Sequence, residues 1–381
     1  MLLSVSICAN PCPIQKNGLP GVRKLPITNF MENKLPGLIV LLGSGETMPS
    51  SGKTHEFVAK RLPENGRVAI LETPAGFEPN ANLVAGKIKT FLEKRLQNYH
   101  LAIQLLPARK KGTEFSPDNP QIVQPLYTAD EILLGPGSPT YCARQLQNSL
   151  ALEIIKARHR LGATLFLSSS AVLAFSAQTM PVYEIYKVGE DLHWKAGLDF
   201  LGNYSLPLIF IPHWNNSDGG SELDTSHCYL GTERFERLRA MLPPGIKIVG
   251  IDEHTSLILD FAAGQCLVKG NGGVTLLDGD QTHFFEHRAS FPLDTLGTWH
   301  LPPGGEGIAA EVWQKAVQSQ HEKENQNAVP EPSARAKALL AARTEARAAK
   351  AWAKADALRD ELEALGWQVR DTPDGPVLEP L

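Results

Sequence analysis

The chain has 381 residues, of which 43% are hydrophobic, and its net charge at pH 7 is −4. This length suggests about two to three domains with a sizeable core. The small net charge gives no overall attraction for nucleic acid or for an anionic membrane. No apolar run approaches the ~20 residues of a membrane-spanning helix, so we expect no membrane partner. The five scattered cysteines form neither a disulfide framework nor a metal-binding spacing, which predicts a reducing, cytoplasmic location.

The first 35 residues differ in texture from the rest of the chain. Several prolines and glycines between residues 11 and 21 interrupt any regular element. We therefore predict a disordered extension over residues 1–35, with Met31 as a reasonable natural start.

From residue 36 onward, short apolar strands alternate with amphipathic helical segments. This order predicts an α/β fold, a mostly parallel sheet with helices on both faces. The predicted strands are 38–42, 67–72, 101–106, 131–134 and 163–167, and the predicted helices are 55–62, 80–98 and 141–159.

Past residue 200 the strands follow one another at short spacing, which predicts an antiparallel extension of the sheet. These strands are 208–211, 246–251, 256–260, 265–269 and 273–277, with a helix at about 230–241. We expect the α/β domain to span 36–300, a helix and a polar linker to occupy 301–333, and a small helical module to occupy 334–381.

The segment Ala163–Phe175 is the most informative of the sequence, because an apolar strand pattern ends in three serines before a helical pattern. Such a strand-turn-helix junction can lift a serine hydroxyl above the edge of an α/β sheet. The alternative is that the serines only cap the helix. If Ser170 is the nucleophile, His213, which follows another strand, is the candidate base. The N–H groups of Ala171 and Gly137 are then candidate oxyanion donors.

The acidic partner is left open by this pattern. The candidates that lie between the serine and the histidine are Glu184, Glu190 and Asp191. Asp224 offers an alternative. No cofactor and no metal is needed for acyl transfer by such a set.

These residues carry a resemblance. The order Gly43-Ser-Gly, Gly135-x-Gly-Ser, Ser170-Ala and Pro212-His, together with the run 249–255, resembles the serine peptidase family of cyanophycinase and aspartyl dipeptidase over about 37–280. The resemblance implies a fold like that of class I glutamine amidotransferases and cleavage after α- or β-linked aspartyl residues. By position it makes Ser170 the nucleophile, His213 the histidine and Glu184 the acidic partner.

The chain departs from that family at the turn, which in the family reads Gly-x-Ser-Ala-Gly. Ser168 and Val172 occupy the two glycine positions, and glycine relieves crowding in a strained turn. Two hypotheses therefore stand: a serine hydrolase acting on a small peptide or amide, with full or weakened activity, and an inactive scaffold that works as a binding adaptor.

Two rival sites can be weighed from the sequence. Residues 45–54 resemble a phosphate-binding loop, with Lys53 and Thr54 as its functional residues. However, the phosphate-loop pattern requires glycine at position 47, where this chain has threonine, and Pro49 lacks the N–H donor that the loop needs. Residues 252–254 contain two carboxylates and a histidine, but no second cluster supports a metal site there, and we interpret them as structural.

The C-terminal segment, about 335–381, resembles the end of cysteinyl-tRNA synthetases. The matching residues include Arg343, Arg347, Trp352, Asp356 and Asp371. Residues 331–355 carry six Lys/Arg and two Glu, whereas 356–381 carry two Arg and seven Asp/Glu. One basic face could meet phosphates, so tRNA is a candidate partner of residues 334–381. A packing or protein-binding role is the alternative. The oligomeric state is not predictable from the sequence.

Overall fold

The computed structural model describes residues 34–327, 331–372 and 375–381. The predicted N-terminal extension and the start at Met31 therefore lie outside the described residues, apart from Lys34 and Leu35. Lys34 forms an ion pair with Glu324. In the described part of the chain, no helix is long and apolar enough to cross a membrane.

Sixteen strands are formed by the described residues. They are β1 (Ile39–Leu42), β2 (Arg67–Leu71), β3 (Ala102–Leu106), β4 (Glu131–Leu134), β5 (Thr164–Ser168), β6 (Gln178–Thr179), β7 (Lys195–Ala196), β8 (Leu208–Ile211), β9 (Lys247–Ile251), β10 (Thr255–Asp260), β11 (Gln265–Gly270), β12 (Val274–Asp278), β13 (Gln281–Phe285), β14 (Ser290–Pro292), β15 (Trp367–Thr372) and β16 (Gly375–Pro380).

The principal helices alternate with the strands in the first half of the chain. They are α1 (Pro49–Ala59), α2 (Ala81–Arg95), α3 (Pro120–Val123), α4 (Pro139–Leu146), α5 (Leu150–Arg160), α6 (Ser170–Ala174), α7 (Gly231–Arg239), α8 (Ala310–Asn327), α9 (Ala334–Ala348) and α10 (Trp352–Ala364). A π-helical turn at Glu184–Val188 and short 3₁₀ turns complete the set.

The central sheet has eight strands in the order β14-β11-β10-β1-β5-β4-β2-β3. The five strands from β1 to β3 in this order pair in parallel, and β10, β11 and β14 continue the sheet in antiparallel fashion. The predicted α/β class, the mostly parallel sheet and its antiparallel extension are confirmed.

Successive side chains of a strand point to opposite faces of the sheet. Every residue of β5 is buried, so both faces of the sheet are covered there. Leu165 and Leu167 of β5 belong to one apolar cluster, whereas Phe166 between them belongs to a second cluster. Helices cover both faces, as the continuous apolar strands predict.

Three strands that were expected in the extension instead form a second sheet, with the order β13-β12-β9-β8. In this sheet β8 and β9 run parallel, so their carboxyl ends lie side by side. The parallel pairing therefore brings the residues that follow β8 close to those that follow β9.

Two predictions about helices need correction. The helix expected at 141–159 is two helices, separated where Asn148 adopts a positive φ of 56° and Ser149 caps α5. Helix α8 extends to Asn327, into the segment expected to be a polar linker. Residues 343–367 carry apolar residues at helical spacing, and Lys350, with a φ of 60°, lies between α9 and α10.

The C-terminal segment has its own small core. Ala336, Leu362 and Trp367 are buried together, with Leu339 and Val369 packed against them. Residues 369–377 contain two prolines and a glycine, which predicts a small turn, and the described part of this segment belongs to the antiparallel hairpin of β15 and β16. Its residues 373–374 lie outside the described part.

Candidate active site

The junction between β5 and α6 is a sharp turn centred on Ser169. This residue has φ 52° and ψ −116°, a combination that L-residues other than glycine rarely adopt. Its backbone N–H donates to the carbonyl of Leu42 on the neighbouring strand β1 (3.0 Å). The turn therefore holds Ser169 at the carboxyl end of the parallel strands, where sites gather in open α/β sheets.

His213 lies opposite, two residues after the end of β8. It also has a positive φ, 52°, and its carbonyl accepts the N–H groups of Asn216 (3.2 Å) and Cys228 (3.1 Å). Its Nε2 lies 2.9 Å from Ser169 Oγ. The imidazole of His213 is thus fixed against the hydroxyl of the strained serine.

The carboxylate that contacts His213 belongs to Glu253, two residues after the end of β9. Its Oε1 lies 2.9 Å from His213 Nδ1. Because an ionised carboxylate only accepts hydrogen bonds, Nδ1 carries the proton, and Nε2 of the neutral ring accepts the Ser169 hydroxyl. The bond to His213 is the main cause that lowers the pKa of Glu253, against the opposing effect of partial burial. The carboxylate is therefore the stable form of Glu253 at neutral pH.

Ser170, the sequence candidate, does not face His213. Its hydroxyl is buried and donates to the Gly135 carbonyl at 3.4 Å, because it is the first residue of α6, after the turn. The expectation that Ser170 pairs with the histidine is therefore corrected to Ser169. The N–H that follows the serine in the chain then belongs to Ser170 instead of Ala171, which is fully buried.

Gly137 lies on the cavity wall together with Ser169 and Ser170. Its φ is 153°, and a Cβ at this position would lie 2.0 Å from the Pro74 carbonyl oxygen. Only glycine fits here, because the backbone after β4 lies against the backbone of Pro74 and Ala75. Gly137 thus stays a candidate oxyanion donor.

The other acidic candidates do not contact His213. Glu184 accepts a hydrogen bond from Thr140 Oγ1 (2.6 Å) and lies 3.4 Å from Lys195 Nζ. Glu190 lies 3.8 Å from His193, and Asp191 uses its backbone carbonyl to contact the same histidine. Asp224 binds Ser226 and the Thr232 N–H, and these bonds lower its pKa. The sequence prediction of Glu184 as the partner of His213 is therefore not met by the geometry.

The rival sites are accounted for by other contacts. Thr54 lies inside α1, and its hydroxyl contacts Ser256 Oγ at 3.2 Å, so it does not face a phosphate loop. Asp252 accepts the Gly273 N–H at 2.8 Å, whereas Glu253, which was expected to be structural, contacts His213. In the described part of the chain, no group of three or more His, Cys, Asp or Glu side chains could hold a metal ion.

A cavity of about 460 Å³ opens in front of Ser169 and His213. Tyrosines and aliphatic side chains form much of its wall, and Lys187 and Asp218 are the charged residues among those that line it. The π-helical turn Glu184–Val188 contributes Lys187. The Tyr229 ring lies 5.4 Å from the His213 ring, centroid to centroid. The lining residues are Gly137, Pro139, Ser169, Ser170, Leu173, Val182, Tyr183, Tyr186, Lys187, His213, Asp218, Gly219, Thr225, Cys228 and Tyr229.

Ser169, His213 and Glu253 are thus joined by hydrogen bonds beside a cavity, at strand ends of an α/β fold. Comparison with solved structures agrees with this fold. A peptidase from an acI-B1 actinobacterium aligns with 69% of this chain and 99% of its own length, at 20% identity and a TM-score of 0.55. The expected peptidase-like α/β architecture is thereby confirmed.

The C-terminal module is similar to a second class of protein. Residues 329–375 match the family described as the cysteinyl-tRNA ligase anticodon binding domain. The cysteine–tRNA ligase of Nitratidesulfovibrio vulgaris strain DP4 is 61% identical over 44 residues, which are 12% of this chain and 9% of that enzyme. A ligase from Burkholderia lata is 56% identical over 39 residues, 10% of this chain and 8% of its own. The chain thus spans less than a tenth of these curated relatives, and its resemblance to them is confirmed for the tail alone.

Proposed function

We propose that the α/β domain is a serine hydrolase that acts by acyl transfer on a small peptide or amide. The observation that carries this proposal is the continuous hydrogen-bonded chain from Ser169 through His213 to Glu253 at the mouth of a cavity. A serine hydroxyl needs such a base and such an orienting carboxylate before it attacks a carbonyl at neutral pH.

In the proposed reaction, Ser169 Oγ attacks the substrate carbonyl carbon while His213 Nε2 takes the hydroxyl proton. The negative charge on the carbonyl oxygen faces the backbone N–H groups of Ser170 and Gly137. His213 then gives the proton to the leaving amine, and the C–N bond breaks. Water, deprotonated by His213, attacks the acyl ester, releases the acid and restores the Ser169 hydroxyl.

An aspartyl-linked peptide is the substrate class that we propose. Lys187 supplies a positive charge on the cavity wall, and Asp218 on the same wall contacts the Tyr229 hydroxyl. Lys187 is therefore suited to bind a carboxylate of the substrate.

The buried thiols of Cys142, Cys228 and Cys266 are free, which supports our proposal that the protein works in a reducing, cytoplasmic compartment.

A fluorophosphonate probe, which reacts with activated serines, tests the proposal. We expect labelling of the wild type and of Ser170→Ala, and no labelling of Ser169→Ala. A dipeptide panel then compares α- and β-aspartyl substrates with their asparaginyl counterparts. Hydrolysis of the aspartyl members, with a raised KM in Lys187→Met, is the expected result. Absence of labelling of the wild type refutes the hydrolase.

A second candidate function is RNA binding by the tail, either beside the hydrolase or on an inactive scaffold that works as an adaptor. Trp352 is 58% exposed at the start of α10, and the exposed residues Lys350 and Lys354 flank it in the sequence. An exposed aromatic ring among cations is suited to stacking on an unpaired base next to phosphates. The cysteine–tRNA ligases matched by the tail make tRNA the first RNA to test.

Retention of tRNA by the full chain tests this function. We expect Trp352→Ala and Lys354→Glu to weaken binding, and binding to fall with rising salt. Lys89→Glu, a charge change of the same size on the α/β domain, is the matched control and should bind as the wild type does. Equal binding by all variants, or no binding at low salt, contradicts the RNA-binding candidate and favours a packing or protein-binding role.

A further inference from the structure

We infer that Asn216 is a positioning residue that holds Glu253, and through it His213, in the orientation that Ser169 requires. This inference rests on the proposed function. Asn216 is 3% exposed and reaches the site in two ways. Its backbone N–H donates to the His213 carbonyl at 3.2 Å, and its side-chain Nδ2 donates to Glu253 Oε1 at 2.9 Å.

Both donors contact the same oxygen of the Glu253 carboxylate. Oε1 of Glu253 accepts both from His213 Nδ1 and from Asn216 Nδ2, each at 2.9 Å. A carboxylate on a flexible side chain can rotate, but two donors that converge on one oxygen favour a single orientation. The Glu253 backbone N–H also donates to Asn215 Oδ1, at 2.8 Å. Consecutive asparagines therefore hold the backbone and the side chain of the same acidic residue.

Asn216 also joins the site to the cavity wall. Its Oδ1 accepts the N–H of Asp218 at 3.2 Å, and Asp218 and Gly219 line the cavity. The Gly219 N–H in turn donates to Thr225 Oγ1 at 3.1 Å. The same side chain thus fixes the orienting carboxylate and the start of the loop that faces the substrate.

The charge around Glu253 sets the expected direction of the pH effect. His213 and His254 favour the carboxylate, and the bond from Asn216 lowers its pKa further. Asp252, Cys228 and Tyr229 also interact electrostatically with Glu253, and a substitution at Asn216 removes none of these five charged or titratable groups. Loss of the Asn216 donor should therefore raise the pKa of Glu253.

Two variants of the full chain test the inference. Asn216→Ala removes the side-chain bonds, and Asn216→Asp keeps the acceptor for the Asp218 N–H while replacing the donor with a second carboxylate. Asn203→Ala is the matched control, because Asn203 is a partly buried asparagine whose Nδ2 donates to the Phe200 carbonyl at 2.8 Å. The Glu253 titration is followed by NMR of protein with ¹³C-labelled Glu carboxyl groups, assigned with Glu253→Gln. Probe labelling at several concentrations separates kinact from KI.

We expect both Asn216 variants to raise the Glu253 titration midpoint and to lower kinact by about 10- to 100-fold, with KI unchanged. Asn203→Ala should leave all three quantities unchanged. An unchanged midpoint in the Asn216 variants overturns the inference, as does an unchanged kinact. If the wild type does not react with the probe, the proposed hydrolase fails, and the titration then decides separately whether Asn216 holds Glu253.

Discussion

The unusual backbone torsions of Ser169 allow the effect of a substitution on stability to be separated from its effect on reactivity. The substitution Ser169→Gly places the residue that tolerates φ 52° and ψ −116° at the turn. It should abolish probe labelling and yet give a more stable protein than Ser169→Ala. Both variants lose the hydrogen bond to His213, so their difference reports the backbone alone.

The magnitude follows from two opposing terms. A non-glycine residue in such a region costs about 1–3 kcal/mol. Glycine loses more conformational freedom on folding, at a cost of roughly 0.5–1 kcal/mol. The free energy of unfolding of Ser169→Gly should therefore exceed that of Ser169→Ala by about 1 kcal/mol.

Urea unfolding followed by tryptophan fluorescence measures this difference. Ser170 offers a control of opposite sign, because it lies in α6 and has no positive φ. Ser170→Gly should be less stable than Ser170→Ala by about 0.5–1 kcal/mol. If Ser169→Gly is no more stable than Ser169→Ala, the strained turn is refuted.

Three further predictions concern the acid, a buried carboxyl group and the tail. Glu253→Gln should lower the probe-labelling rate by about 10²–10⁴-fold, whereas Glu184→Gln should label like the wild type; the reverse ranking would contradict the assignment. Burial raises the pKa of Glu131 from 4.5 to about 8. The folded state therefore keeps a proton that the unfolded chain releases near pH 4.5, and the free energy of unfolding should fall as the pH rises from 4.5 to 8. Glu131→Gln should therefore raise the urea midpoint at pH 8 and leave it unchanged near pH 4.5, and equal effects at both pH values would contradict the buried neutral form. Leu362 is fully buried in the tail core, so Leu362→Ala should cost about 2–5 kcal/mol and weaken RNA retention without changing probe labelling.

For the three consecutive serines, the sequence predicts the turn but not which hydroxyl contacts the histidine. The strand pattern predicts the turn correctly, but the hydroxyls of three adjacent residues point to three different partners. Ser168 donates to Glu46, Ser169 contacts His213, and Ser170 donates to Gly135. Their identity does not distinguish them in the sequence, because only the backbone torsion at the turn decides which hydroxyl faces the cavity.

The acidic partner was missed for a different reason. The sequence offers acidic candidates between the serine and the histidine, with Asp224 as an alternative, and favours a structural role for residues 252–254. Glu253 of that run nevertheless contacts His213. The sequence does carry a signal, because Glu253 lies two residues after a predicted strand, as His213 does. What the sequence did not reveal is that β8 and β9 pair in parallel within a separate sheet, which brings the two strand ends together.

The one-residue shift from Ser170 to Ser169 also changes how the missing glycines bear on activity. Counted from Ser169, the residue two places on is the small Ala171 and not the β-branched Val172, so the crowding expected after the turn does not arise. The residue two places before is Leu167, which lies in β5 and pairs with Leu41 and Leu134. The neighbouring strands thus hold the turn without the flanking glycines. Ser169 keeps a costly torsion while it contacts a histidine that is hydrogen-bonded to a carboxylate. This arrangement supports the proposed hydrolase over the inactive scaffold.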